Sequence, residues 1–193
     1  MPNTSATGGY LAPAVASPPV EDASLDALFQ AAIVGVTGLA GNLVRPRWQP
    51  NPPRLPEPTV SWCALGVTLL TPDAGPYIVH DGSANGELGQ DTYVRHEDIE
   101  VDCTFYGPAG QQYAAMARDG FCIPQNMEGL RSNGVFFVDA GDIRSFPELV
   151  NQQWIRRYDM SLKFRRQVNR GHQVENLLTA PFTLTSDTIG LVK

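Results

Sequence analysis

RHEDIEVDCTFY, residues 95–106, alternates apolar and polar side chains and predicts the strand around which the fold is built. The apolar positions are Ile99, Val101, Cys103 and Phe105. The acidic positions between and before them are Asp98, Glu100 and Asp102. A period of two residues is typical of a strand with one buried face. We therefore expect a long strand whose exposed face is acidic.

WIRRYDMSLKFRR, residues 154–166, predicts a second long strand, and this one is basic. Its apolar face would hold Trp154, Tyr158, Met160, Leu162 and Phe164. Its opposite face would hold Arg157, Lys163 and Arg165. Six of the 14 basic residues of the chain lie between Arg156 and Arg170, so the positive charge is concentrated here.

The two charged strands allow two interpretations. If they are neighbours in one sheet, carboxylates face arginines within a single chain, and each pair contributes a few tenths of a kcal/mol. Alternatively, the charged faces contact another subunit, and a repeated acidic-to-basic contact between copies can close a ring. The candidate subunit-interface residues are Asp98, Glu100, Asp102, Arg156, Arg157, Arg165 and Arg166.

Composition excludes several classes of protein. The 193 residues fit one domain, and a net charge of −6 disfavours tight binding to nucleic acid. Cys63, Cys103 and Cys122 have neither CxxC nor CxxH spacing, and all three lie among apolar residues. We therefore expect reduced, buried thiols and no zinc site. Neither a signal peptide nor a bilayer-spanning segment is expected.

The chain divides into an N-terminal arm (1–20), a domain (21–170) and a C-terminal extended arm (171–193). The domain begins with a predicted helix, which Asp22 or Ser24 would cap. Its apolar positions are Leu25, Leu28, Phe29, Ala32, Ile33 and Val36. A proline-rich stretch, 45–58, follows as a stiff extended connector, with a docking ligand for an SH3-type groove as the alternative.

The rest of the domain completes a mostly antiparallel sheet. A strand is expected at 59–70, followed by a long loop, 71–90, which we interpret as an inter-subunit contact. A helix with Tyr113, Met116, Ala117 and Phe121 on one face should follow Gly107-Pro108, and a short second helix should run from Pro124 to Gly134. Val135–Val138 predicts a fully buried strand. These elements indicate an α+β fold, with an N-terminal helix and an inserted helical pair.

No catalytic constellation is apparent. His96 and Glu97 would point to opposite faces of a regular strand, and His80 lies in a glycine-rich segment where a metal role is improbable. Cys103 falls on an apolar strand face, where a thiol is inert. We therefore expect no enzymatic activity, cofactor or metal.

Several segments together resemble the neck terminator proteins of tailed bacteriophages, over roughly residues 22–185. These segments are RPRWQPNPP (45–53), WCALGV (62–67), RHEDIEVDCTFYGP (95–108), ARDGFCIPQNMEGLRSNG (117–134) and PELVNQQWIRRYDM (147–160). The resemblance implies a virion protein at the head–tail junction, assembled in the host cytoplasm. It implies a homo-hexameric ring that caps the tail tube, stops tube polymerisation, joins tail to head and leaves a channel for DNA.

The resemblance implies the tail-tube protein as the partner on one side, with the sheath as a further candidate there, and neck or connector proteins on the other side. DNA would pass without specific binding, and no membrane is involved. The candidate arm and partner contacts are Trp48, Tyr77, Leu177, Leu178, Phe182 and Leu184. The alternatives are a head-completion adaptor or stopper, a small Cys/His hydrolase using Cys103 or His80, and a host-surface binding module.

Overall fold

The computed structural model describes residues 3–13, 19–150 and 152–177. Its helices are α1 (Asp22–Thr37), α2 (Ala84–Glu87), α3 (Gly110–Gly120) and α4 (Glu128–Arg131). Its strands are β1 (Val44–Pro46), β2 (Trp62–Pro72), β3 (Tyr77–Asp81), β4 (Gln90–Tyr106), β5 (Val135–Ala140), β6 (Arg144–Ser145), β7 (Glu148–Val150), β8 (Gln153–Ile155) and β9 (Arg157–His172). No helix in these ranges is long and apolar enough to cross a membrane.

Seven of these strands form one mostly antiparallel sheet in the order β1-β2-β4-β9-β5. Strand β3 pairs with the beginning of β4, and β6 pairs with β9. Among the strands of the described residues, β1 and β2 are the one parallel pair. Strands β7 and β8 form a separate hairpin. The predicted α+β class, with its N-terminal helix and inserted helical pair, is confirmed.

Strands β4 and β9 pair along almost their whole lengths, from Asp91 opposite His172 to Tyr106 opposite Arg157. The two strands predicted from charge and periodicity are therefore neighbours at the centre of the sheet. Trp154 was wrongly placed on the buried face of the basic strand. It lies in β8 opposite Leu149 and is exposed, because the chain turns back in the β7–β8 hairpin before β9 begins.

One face of the sheet packs against the helices and forms the core. Leu25, Phe29 and Ile33 of α1 are buried in the same cluster as Val101 of β4 and Phe164 of β9. The Phe164 ring has the rings of Phe29, Phe121 and Phe137 around it, with centroids 4.8, 5.6 and 5.7 Å away. Because the buried side chains alternate along β4 and β9, this core fixes which face of each strand reaches solvent.

Four local predictions need correction. The residue that precedes α1 is Glu21, and it makes no side-chain capping bond, so neither Asp22 nor Ser24 caps the helix. The segment 71–90 contains a paired strand, β3, and is not simply a loop. Phe136 and Val138 are exposed because none of the helices in the described residues covers their face of β5. Met116 is exposed as well, since α3 buries Ala114 and Ala117 instead.

Candidate functional site

The outer face of the sheet is the side away from α1 and α3, and it carries most of the charged residues predicted as interface candidates. Its members on β4 and β9 are Asp98, Glu100, Asp102, Thr104, Tyr106, Arg157, Asp159, Ser161, Lys163 and Arg165. The alternate residues on these strands point into the core. The antiparallel register brings Asp98 opposite Arg165 and Glu100 opposite Lys163.

Three of the four candidate arginines form ion pairs within the chain: Arg157, Arg165 and Arg166. Arg165 donates to Asp98 at 2.9 Å and also pairs with Asp73. Arg166 points to the other side of the sheet, where it donates to Glu97 at 2.7 Å and to the backbone carbonyl of Val20. The first interpretation of the charged strands, pairing within one chain, therefore applies to these arginines. Their contact with a neighbouring subunit stays a prediction.

Arg157 lies where the outer face meets the β7–β8 hairpin. It donates two hydrogen bonds to the Asp159 carboxylate, at 3.0 and 2.8 Å, and lies 3.6 Å from Glu148. The bonds to Asp159 raise the pKa of Arg157, which keeps the guanidinium charged. Glu100 accepts a hydrogen bond of 2.6 Å from the Ser161 hydroxyl. These contacts order the outer face within one subunit.

Asp102 and Arg156 are the interface candidates that form no side-chain ion pair or hydrogen bond within the described residues. Asp102 lines a shallow depression of about 490 Å³ together with Arg47, Arg144, Asp159 and Lys163. Because both signs of charge surround this depression, it suits a protein surface of mixed charge better than a polyanion.

An aromatic cleft borders the outer face. Trp62 and Tyr106 stack with ring centroids 4.4 Å apart, and the Arg45 guanidinium lies 5.7 Å from the Trp62 ring. A cavity of about 380 Å³ extends from these rings to the proline-rich segment and the β7–β8 hairpin. Trp48 is largely exposed and lies so close to Gly66 that a Cβ there would be 2.8 Å from its ring. Because most of its side chain is exposed, Trp48 can contact a partner.

Two further contact candidates, Tyr77 and Leu177, lie at the opposite end of the sheet. Tyr77 begins the exposed strand β3, and Leu177 is 85% exposed. Leu178, Phe182 and Leu184 fall outside the described residues. Just before Leu177, the chain is held by what we call the Asn176 clamp. The clamp consists of the hydrogen bonds that Asn176 forms with His80, Gly82, Glu87 and Leu88. Sequence reasoning missed this clamp because Asn176 and its partner His80 are 96 positions apart.

His80 links the Asn176 clamp to the sheet. Its Nδ1 lies 2.6 Å from an Asp91 carboxylate oxygen, and its Nε2 lies 2.8 Å from the Asn176 side-chain oxygen. The Asn176 amide nitrogen donates to the carbonyls of Gly82 and Glu87, which fixes the orientation of its amide. Both partners of His80 are therefore acceptors, and only a protonated imidazole can donate to both. The Asp91 bond chiefly, and the Asn176 bond next, raise the pKa of His80.

The clamp should loosen as the pH rises. Because the pKa of His80 is higher in the folded chain than its unfolded value of about 6.5, its contribution is fully present below that value. The contribution is lost as the pH rises through the raised pKa. We expect the backbone amide of Asn176 to exchange faster with solvent at about pH 9 than at about pH 5, after correction for intrinsic rates. His80→Gln should remove this dependence, and an unchanged dependence in that variant would contradict the assignment.

The residues weighed for catalysis do not assemble a reactive site. Cys63 and Cys103 are fully buried, and burial raises the pKa of the Cys63 thiol. Cys122 is exposed, contrary to the prediction that all three thiols are buried. His96 is paired with Gln167 on β9, away from any cysteine in the register. Within the described ranges, no three His, Cys, Asp or Glu residues are grouped to hold a metal ion.

The comparison with protein families gives one match over most of the chain. A family model described as "Phage neck terminator protein" matches residues 23–188 of the 193. The match covers α1 from its second residue and every later element to β9. No curated protein matches the chain.

Proposed function

Because the chain belongs to the phage neck terminator family, we propose that it caps the end of the tail tube as a closed ring of identical subunits. A structural role in the neck of the virion follows from the family itself. The ring, the arrest of tube polymerisation and the passage left for DNA are the proposed mechanism. The family match over residues 23–188 is the observation that carries this proposal.

The outer face supports a role in subunit contacts. A ring forms when one surface of a subunit meets a different surface of the next, and the rotation closes. Arg156 is exposed between β8 and β9, and Asp102 lies on the outer face, so the two candidates offer opposite charges at two separate places. Since Arg157, Arg165 and Arg166 are held by carboxylates of their own chain, Arg156 and Asp102 are the interface candidates that have no charged partner among the described residues.

The charge of the chain is compatible with a DNA passage. At a net charge of −6, a ring of several copies is strongly acidic overall, and acidic walls do not retain a phosphate backbone. We propose that DNA passes the lumen without base-specific or salt-sensitive binding. The genome would then pass through the ring without being bound by it.

Tube assembly in solution tests the proposed function. Tail-tube protein from the same phage should polymerise to shorter tubes when this protein is added, because each capped end stops growing. Electron micrographs should show an added ring at the tube ends. The Arg156→Glu variant, if it no longer forms rings, should leave tube lengths unchanged. Full-length tubes with bare ends in the presence of wild-type rings would contradict the proposal and would favour another position in the neck.

A further inference from the structure

Strand β3 has an open edge. In the described part of the chain it pairs with β4 alone, from Tyr77 opposite Val94 to Asp81 opposite Gln90. All five of its residues are exposed, and three in succession, Tyr77, Ile78 and Val79, are large and apolar. An exposed apolar edge strand presents unpaired backbone N–H and C=O groups, which are a template for another strand.

The Asn176 clamp carries the C-terminal part of the chain from β9 to this edge. The last paired residue of β9, His172, lies opposite Asp91 of β4, and Asp91 lies opposite His80 of β3. Four residues later, the backbone N–H of Asn176 donates to the Leu88 carbonyl at 2.6 Å. The side chain of Asn176 bonds to His80 and Gly82, at the end of β3. Leu177 follows directly after the clamp and is 85% exposed.

The sequence beyond the clamp has the composition of a strand. In residues 182–185, Phe-Thr-Leu-Thr, apolar and β-branched polar residues alternate. The segment 178–193 carries only two charged side chains, Asp187 and Lys193. As an added strand it would place Phe182 and Leu184 on one face, where they can pack against Tyr77 and Val79.

The position of this strand in the chain sets how far it can reach. Four residues, 178–181, lie between Leu177 and Phe182, and in extended form the chain spans roughly 17 Å from Leu177 to Phe182. Because a domain of this size is about 40 Å across, the exchange requires the Asn176 clamp of one copy to lie beside the β3 edge of the next. Five residues are enough to pair with the whole of β3.

We propose that the open edge of β3 accepts the segment 178–193 of an adjacent copy as an added β-strand. This inference rests on the proposed ring, and it identifies one contact by which neighbouring subunits are linked. Each subunit then donates its C-terminal segment and accepts that of another copy. Such an exchange orders a segment and covers an edge that otherwise favours non-specific association.

Cysteine cross-linking between separate chains tests this contact. In a Cys122→Ser background, whose other thiols are buried, one chain would carry Val79→Cys and a second, larger tagged chain would carry Phe182→Cys or Leu184→Cys. Val79 is exposed, so its replacement should leave the fold intact. Mild oxidation of the mixture should give a mixed dimer that contains one chain of each kind. Phe136→Cys, exposed on β5, is the matched control and should give no such dimer.

Three results would overturn the inference. They are no link to residue 79, links only between two Val79→Cys chains, and, in a chain carrying both cysteines, links only within that chain. The mass of the same sample under native conditions separates this test from the proposed function. Closed rings that lack the cross-link would overturn the strand exchange but would agree with the proposed ring. Links in open dimers alone would support the exchange and contradict ring closure.

Discussion

Replacing Phe164 by alanine is expected to lower the free energy of unfolding by about 3–5 kcal/mol. Phe164 is fully buried on the core face of β9. Its ring contacts those of Phe29 on α1, Phe121 after α3 and Phe137 on β5. The substitution therefore leaves a cavity where three separate parts of the fold meet, and the surrounding rings can fill it only in part.

Urea denaturation followed by circular dichroism measures this effect. Phe136→Ala on the neighbouring strand is the matched control, because its ring is exposed on the outer face. We expect the control to change the free energy of unfolding by less than about 1 kcal/mol. Equal losses in the two variants would contradict the placement of the core on the helix side of the sheet.

Replacing Arg166 by alanine should be nearly as damaging, at about 3–5 kcal/mol. The Arg166 side chain is only 4% exposed and is the sole side chain that bonds Glu97 across the strands among the described residues. It also donates to the Val20 carbonyl and so ties the start of α1 to β9. Removing the guanidinium leaves the Glu97 carboxylate, itself mostly buried, without its cation.

Arg165→Ala is the matched control for the buried pair. Arg165 is the adjacent residue, also paired with carboxylates, but its side chain is 40% exposed and solvent screens its interactions. We expect a much smaller loss of stability than for Arg166→Ala. A double variant, Glu97→Met with Arg166→Met, should be more stable than Arg166→Ala because no charge is left buried and unpaired. A double variant that is less stable than Arg166→Ala would contradict the view that the unpaired Glu97 carboxylate causes the loss.

The sequence predicted the central strands well because their information is local. Alternation from Ile99 to Phe105 identifies a half-buried strand whatever its neighbours are, and the same holds from Tyr158 to Phe164. Phe136 and Trp154 were misplaced for the opposite reason. Their exposure depends on which elements cover β5 and on where the hairpin turns, and neither is visible in a local pattern.

The interaction surface was predictable in composition but not in arrangement. The runs of acidic and basic residues indicated a charged surface, yet two interpretations were open until the register of β4 and β9 was known. That register places Asp98 opposite Arg165, with which it forms an ion pair within one chain. Asp102 and Arg156 have no such partner among the described residues. The Asn176 clamp joins positions far apart in the chain, so no local pattern could have revealed it.

The mass of the purified protein under native conditions tests the closed ring most directly. Native mass spectrometry should give one dominant species close to six times the chain mass of 21.0 kDa. Arg156→Glu should shift that species towards smaller masses, whereas Arg131→Glu, exposed at the end of α4, should leave it unchanged. A protein that stays at 21.0 kDa at every concentration, both alone and with tube ends, would contradict the account.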